Sequence, residues 1–200
     1  MTRKRFFRGI LIILILFFCL GIVLIFKTPL SPALFVQKVE EAFSKKQYWK
    51  VIHLSKNHIH SKNTAIRKEA LFFLGKAHLQ PSYFFYNPTK AEKAWQQAAD
   101  LNHKQAAYSL ALQYDTGNNI PEDKEKAIHY MQQAAKNNYP PALHALGVWI
   151  ERGYLTGNYK QLYEKAAEMG YRPAITSLIA ITGGQEQQHW IEKLNQRREE

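Results

Sequence analysis

The chain repeats itself at an interval of 36 residues, and no other feature of it constrains the fold as tightly. An alanine four positions before a leucine, followed by a small residue, occurs as Ala70/Leu74/Gly75, Ala106/Leu110/Ala111 and Ala142/Leu146/Gly147. A second signature keeps that interval from Gln97-Ala98-Ala99 to Gln133-Ala134-Ala135, and closes at Lys165-Ala166-Ala167 after 32 residues. Self-similarity of this length marks stacked supersecondary units, each burying its apolar face on its neighbours while the stack presents a continuous surface.

After the breakers Thr28, Pro29, Ser31 and Pro32, apolar residues recur at helical rather than strand spacing. The expected fold class is therefore all-α, an α/α solenoid of antiparallel helix pairs. Ala70, Leu71, Leu74, Gly75 and His78 share one side of a helical wheel, and the small residues Ala70, Gly75, Ala98 and Ala99 let helix axes approach until Leu74 interdigitates. Asn102, Asn138 and Gly170 stand at one equivalent place after the paired alanines. Asparagine and glycine best tolerate the left-handed backbone that closes a helix. Within the second unit, Gly117-Asn118 predicts a turn, and Pro121, Glu122 and Asp123 suit the start of the next helix.

The run Ala106-x3-Leu110-Ala111-x2-Tyr114-x2-Gly117, followed by Lys126-Ala127-x2-Tyr130-x2-Gln133-Ala134-Ala135 and a new unit at Ala142, resembles the Sel-like repeat (SLR). That family is a relative of the tetratricopeptide repeat (TPR), with two antiparallel helices per unit. The first unit keeps Leu74-Gly75, Lys90-Ala91 and Gln97-Ala98-Ala99 but has His78 in place of the Tyr and Pro81 in place of the Gly. The third keeps Leu146-Gly147, Gly153 and Lys165-Ala166-Ala167, with four residues expected to be lost between its helices. Residues 33–66 read as a degenerate TPR-like pair, with Phe35, Val39, Ala42 and Phe43, a turn at Ser44 to Gln47, then Tyr48, Val51, Ile52 and Ser55. The expected organisation is that pair, three SLR-type units over 67–172, and capping helices over 173–200 that start at Ala174 and Leu178 and lead to Trp190, Ile191 and Leu194. The resemblance implies an adaptor that assembles other proteins, with no catalytic residues and no cofactor.

Gly9 to Phe26 carries no charge over eighteen residues, about 27 Å as a helix and long enough to cross a bilayer once. Arg3, Lys4, Arg5 and Arg8 precede it, whereas only Lys27 and Lys38 occur in the dozen residues after it. The positive-inside rule then makes 1–8 a cytoplasmic tail, 9–27 a transmembrane helix and 28–32 a linker, with the repeat domain periplasmic or otherwise extracytoplasmic on a single-pass inner (cytoplasmic) membrane protein. A signal peptide cleaved near Ser31-Pro32-Ala33 and a reversed orientation are the alternatives, the first weakened by the length of the apolar run.

The formal net charge of +11 is unevenly placed. Residues 28–89 hold nine basic residues against three acids, and residues 90–200 hold 13 of each. A nucleic-acid-binding domain carries its basic face on the binding domain itself, so this distribution argues against nucleic acid; it fits equally a first half that lies near anionic head groups and a solvated basic face with no partner. Cys19, the only cysteine, lies inside the apolar run. His53, His58 and His60 lack the cysteine or carboxylate pair that would complete a metal site, and no phosphate loop, nucleophile elbow or zinc-protease helix occurs. The expectation is a protein that is not an enzyme and takes no small-molecule substrate.

Phe84 lies 36 residues before Ile120 and is expected to fill a structural slot, leaving Tyr83, Phe85 and Tyr86 for contact. Phe72, Tyr108 and His144 are equivalent positions about 200° around the wheel from the packing alanines, predicting either an outward ladder suited to partner recognition or, in a tightly wound superhelix, rings buried against the next helix. Lys76, Leu112 and Val148 continue that face, with Glu69 and Glu151 nearby, and these eight residues are the candidate protein- or peptide-binding set. On this reading Tyr108→Ala weakens binding and spares the fold. The expected role is a membrane-tethered scaffold at the cell envelope; a structural subunit of a secretion or cell-wall assembly, or a cytoplasmic-facing adaptor, would use the same surface.

Overall fold

Helical periodicity from residue 32 onward is realised as ten α-helices, with no strand among the described residues. The computed structural model describes residues 30–81 and 84–196. In order they are α1 (Pro32–Ser44), α2 (Tyr48–Lys56), α3 (Thr64–His78), α4 (Pro88–Asp100), α5 (Lys104–Thr116), α6 (Lys124–Lys136), α7 (Pro140–Glu151), α8 (Tyr159–Glu168), α9 (Arg172–Ile181) and α10 (Gly184–Gln196). The chain divides into units of residues 1–35 and 36–200, and all the repeats lie in the second. The apolar run 9–26 lies outside the described residues, among which no helix is long and apolar enough to cross a membrane.

From α2 onward each helix packs on the next, in the nearest-neighbour order of a solenoid. The closures between units are alike. Asn102, Asn138 and Gly170 take φ of 59°, 52° and 84°, the left-handed conformation their residue types predict. Around each, two backbone bonds recur: Asn102 N–H to Ala99 O (2.8 Å) with His103 N–H to Ala98 O (3.0 Å), Asn138 to Ala135 (2.9 Å) with Tyr139 to Ala134 (3.1 Å), and Gly170 to Ala167 (2.9 Å) with Tyr171 to Ala166 (3.0 Å). This is the Schellman motif, and the paired alanines supply its acceptors. The same closure joins α1 to α2, with Lys46 at φ 55°.

Inside each pair, a small residue on the first helix admits a large one from the second. A Cβ on Gly75 would overlap the Trp95 indole, and one on Gly147 would overlap the Tyr163 ring. Ala111 stands at the equivalent place in the second unit, where the matching inner residue is Met131, an unbranched side chain that accommodates the extra methyl. Trp95, Met131 and Tyr163 are all buried. Trp95 Nε1 also donates to the Phe72 carbonyl at 3.0 Å, tying α4 to the backbone of α3. The second helices start on side-chain caps: Asn87, Asp123 and Asn158 accept from Lys90, Lys126 and Gln161 amides at 2.9, 3.0 and 3.1 Å.

Two local expectations are corrected. The shortening of the third unit falls mainly on a helix rather than on the connection between helices: α8 has 10 residues where α4 and α6 have 13. Three residues are nearly one helical turn, so Tyr163, Ala166 and Ala167 keep their inward face. Phe84 fills no slot, being 93% exposed, whereas Ile120 is buried. Gly117, at φ 66°, lets the second loop turn inward, but Pro81 holds the equivalent place in the first and cannot adopt positive φ. That loop is fastened instead by His78 Nδ1–H donating to the Phe85 carbonyl and Asn87 N–H donating to the His78 carbonyl, both at 2.8 Å, with Phe84 outside the tie.

Tyr163 cannot swing aside, because it is fully buried and its hydroxyl donates to Glu151 Oε2 at 2.7 Å. Gly147→Ala is therefore expected to destabilise the domain by about 1–2 kcal/mol, overpacking outweighing alanine's better helix propensity. Denaturant titration checks this, and an unchanged midpoint would show that the α7–α8 contact yields.

Candidate protein-binding groove

The Schellman closure fixes not only the backbone but also the side chain that follows it. His103, Tyr139 and Tyr171 each end one closure and serve as N-cap residue of the next helix, α5, α7 and α9. Their rings fold back onto the ladder. His103 stacks on Phe72 (centroids 4.5 Å apart, 25° between planes), Tyr139 meets Tyr108 edge-on (5.3 Å, 67°), and Tyr171 meets His144 edge-on (5.6 Å, 62°). The ladder is thus a row of pairs, 72 with 103, 108 with 139 and 144 with 171. The second member of each pair was missed by sequence reasoning, although it recurs at the same intervals of 36 and then 32 residues.

This pairing changes the character of the ladder. Phe72, Tyr108 and His144 are half-buried rather than free to point outward, each covered on one side by the ring of the closure that follows. Burial, with Tyr171 and Tyr139 nearby, raises the Tyr108 phenol above its ordinary pKa. Burial lowers His144, partly offset by Glu151, and His144 Nε2 pairs with Ser177 Oγ at 3.0 Å. His103 is buried and accepts the Ala106 N–H on Nδ1 at 3.1 Å, which leaves Nε2 to carry its proton. Nε2 lies 3.2 Å from Glu69 Oε2 but without hydrogen-bond alignment.

Between α1, α3 and α5 a cavity of about 540 Å³ opens, lined by Val36 and Glu40, by Glu69, Phe72, Phe73 and Lys76, by Gln105, Tyr108 and Ser109, and by Tyr139. Four of the eight residues expected at the partner surface, Glu69, Phe72, Lys76 and Tyr108, meet here. Lys76 holds its ammonium 4.4 Å from the Phe43 ring centroid, 5.3 Å from Phe73 and 5.5 Å from Phe72. Burial pushes its pKa down, and Glu40 opposes that shift. The wall therefore offers ring faces and a cation with no carboxylate within 4.0 Å among the described residues.

The other four expected residues lie outside this cavity. Leu112 is exposed, Val148 and His144 are half-buried farther along the stack, and Glu151 is engaged by Tyr163. Beside the groove, Glu69, Lys68, His103, Lys104 and Gln105 line a shallower space of about 290 Å³. Tyr114 donates to Glu92 Oε1 at 2.5 Å and accepts from Gln96 Nε2 at 3.1 Å, which satisfies a buried phenol and raises its pKa through burial and that carboxylate. Among the described residues no group of His, Cys, Asp and Glu is placed to hold a metal ion.

An antiparallel helix-pair solenoid with a ring-lined groove defines the helical-repeat class of binding proteins. Within that class the chain belongs to the Sel1 repeat family, whose sequence profile matches residues 68–103, 104–139 and 140–171, over half its length. Its backbone is similar to a Sel1 repeat protein from Oxalobacter formigenes, at a TM-score of 0.54 and 25% identity over 62% of this chain and 93% of that one. It shares the fold of c5321, a protective antigen of uropathogenic Escherichia coli, at 0.58 and 17% identity over 81% of this chain and 41% of that one. Among curated proteins it is 36% identical over 70 residues to chitin synthase regulatory factor 2 of Schizosaccharomyces pombe, covering 35% of this chain and 14% of the relative. Protein SHC1 of Saccharomyces cerevisiae is 26% identical over 87 residues, 44% of this chain and 17% of the relative. The chain thus spans less than a fifth of the length of these curated relatives.

The packed ladder reverses the expectation for Tyr108→Ala. Losing a half-buried ring is expected to cost about 2 kcal/mol and lower the melting midpoint by about 4–8 °C, while Tyr108→Phe keeps the contact with Tyr139 and a near-wild-type midpoint. Thermal denaturation of both variants checks this.

Burial holds His78 and His144 below the ordinary imidazole value of 6.5. Between their depressed folded values and 6.5 the unfolded chain binds more protons, so stability falls as pH is lowered through that window. His144→Gln is expected to flatten part of that slope in denaturation curves recorded across the range.

Proposed function

We propose that this Sel1 repeat protein is a non-catalytic adaptor tethered to the cell membrane by residues 9–26, with its repeat domain on the extracytoplasmic side. Its groove between α1, α3 and α5 seats a segment of a protein partner. The observation that carries the reading is the groove itself: a space of about 540 Å³ in which Phe72, Tyr108 and Tyr139 stand fixed by the closures between units. Rings already immobilised lose little side-chain entropy when a partner covers them, which is the economy that aromatic anchors bring to recognition. The name of the Schizosaccharomyces pombe relative, a regulatory factor, is in keeping with a role exerted through another protein. Tethering and orientation rest on the uncharged run and on the four basic residues before it.

Crosslinking and pull-down of the intact chain from its own membranes tests both parts. Ser109→Arg and Gln105→Arg fill the groove without removing a ladder ring, and are expected to cut recovery of crosslinked partner by about tenfold with an unchanged melting midpoint. Undiminished recovery with both variants would place the partner elsewhere. A Cys19→Ser chain carrying Gln132→Cys has one thiol, at an exposed site on α6. A membrane-impermeant maleimide is expected to label it in intact cells, and labelling only after lysis would put the repeat domain in the cytoplasm.

A further inference from the structure

Away from the groove, the first half of the domain exposes large rings beside lysines. On α2, Val51, Ile52 and Ser55 are buried, and a stripe to one side of them carries Trp49, His53 and Lys56, all exposed, with Trp49 at 60%. The three fall within about 60° of one another on a helix of 3.6 residues per turn. The tied loop is the other exposed element of this half. Phe84 is 93% and Tyr86 45% exposed, and Lys90 follows in the first turn of α4.

α2 packs on α3, and His78, the last residue of α3, is bonded through its ring to the Phe85 carbonyl. Lys90 of α4 thus follows the loop that projects Phe84, and Lys56 lies on the helix packed against the one that ties it; after burial and that bond, the positive charges of both lysines act on His78. Neither lysine has a carboxylate within 4.0 Å among the described residues, and the segment from 28 to 89 has three acids against nine bases. Packing gives no reason for a phenylalanine projected from a loop that is tied at Phe85 and Asn87.

We infer that Trp49, Lys56, Phe84, Tyr86 and Lys90 form a docking surface for anionic phospholipid. Aromatic rings favour the head-group layer, and lysines beside them gain from its negative potential. The arrangement of separate rings interleaved with unpaired cations fits a surface of diffuse negative charge over an apolar interior. It is unlike the groove, whose wall also carries the carboxylates of Glu40 and Glu69. Docking rests partly on the proposed tether, which would hold the patch at the bilayer.

The test uses the full chain with Cys19→Ser and Phe84→Cys, labelled at residue 84 with an environment-sensitive fluorophore and mixed with vesicles holding a nitroxide lipid. With about one-third phosphatidylglycerol in phosphatidylcholine, quenching and a blue shift are expected, and neither with phosphatidylcholine alone. Lys56→Glu with Lys90→Glu should lower the docked-to-free ratio by roughly fivefold per lysine or more, and added salt should do the same. The equally charge-reversed control Lys136→Glu with Lys165→Glu should leave it unchanged, and circular dichroism confirms that both variants remain folded. Equal quenching in neutral vesicles, insensitivity to the lysine exchange, or a blue shift that rises with protein density and signals a second copy would each overturn the inference. Flotation reads the tether separately: a chain that floats with neutral vesicles but shows no lipid-dependent signal at residue 84 defeats the docking alone, and one that floats with neither composition defeats both.

Discussion

The six residues that close each second helix, from paired alanine through a left-handed Asn or Gly to a ring, are the element on which the architecture depends. The alanine carbonyls accept two bonds from the residues beyond the helix, and the small side chains leave room for the turn to lie against its neighbour. Reversal of the chain, the start of the next helix and the placement of an aromatic side chain are all settled within that turn. Breaking it would release more than one helix end, since His103, Tyr139 and Tyr171 each cap the helix that follows while packing on the first helix of the pair that precedes it.

This sharing explains why the groove is stiff where it is apolar. Phe72 receives Trp95 on its carbonyl and His103 on its ring, so both its backbone and its side chain are held from other helices. Lys76 is held less firmly, by ring faces alone, and a half-buried cation without an ion pair is the group in the groove with most to gain from an incoming carboxylate. Glu40 and Glu69 on the same wall work against a wholly acidic segment. On the proposed reading of the groove, this chemistry suits a segment that is apolar or aromatic along most of its length, with a single negative group.

Much of this was legible in the sequence because it depends on residue type at fixed spacing. The left-handed positions at Asn102, Asn138 and Gly170, the all-helical solenoid and the convergence of Phe72, Lys76 and Tyr108 follow from periodicity and backbone tolerance alone. What escaped notice depends on where the chain goes between helices. A wheel places Tyr108 on an outward face but knows nothing of Tyr139, which arrives from the following turn. Counting back 36 residues equates Phe84 with Ile120 but takes no account of Pro81, which denies the loop the φ that Gly117 supplies. Four missing residues in the third unit look like a trimmed connection until α8 proves a turn short.

That missing turn separates two kinds of freedom in the stack. The ladder keeps its interval of 36 residues from 72 to 108 to 144, while the change of length is absorbed at the start of α8, away from the Ala166-Ala167 closure that positions Tyr171. Length can therefore vary at one end of the second helices, in steps close to a whole turn, without shifting the ring that packs on the ladder. Recognition can vary independently, by exchange of single rings within the pairs at 72 and 103, 108 and 139, or 144 and 171. A lineage of such chains could alter its dimensions and its binding preferences on separate schedules, because the fold assigns them to different ends of the same helix.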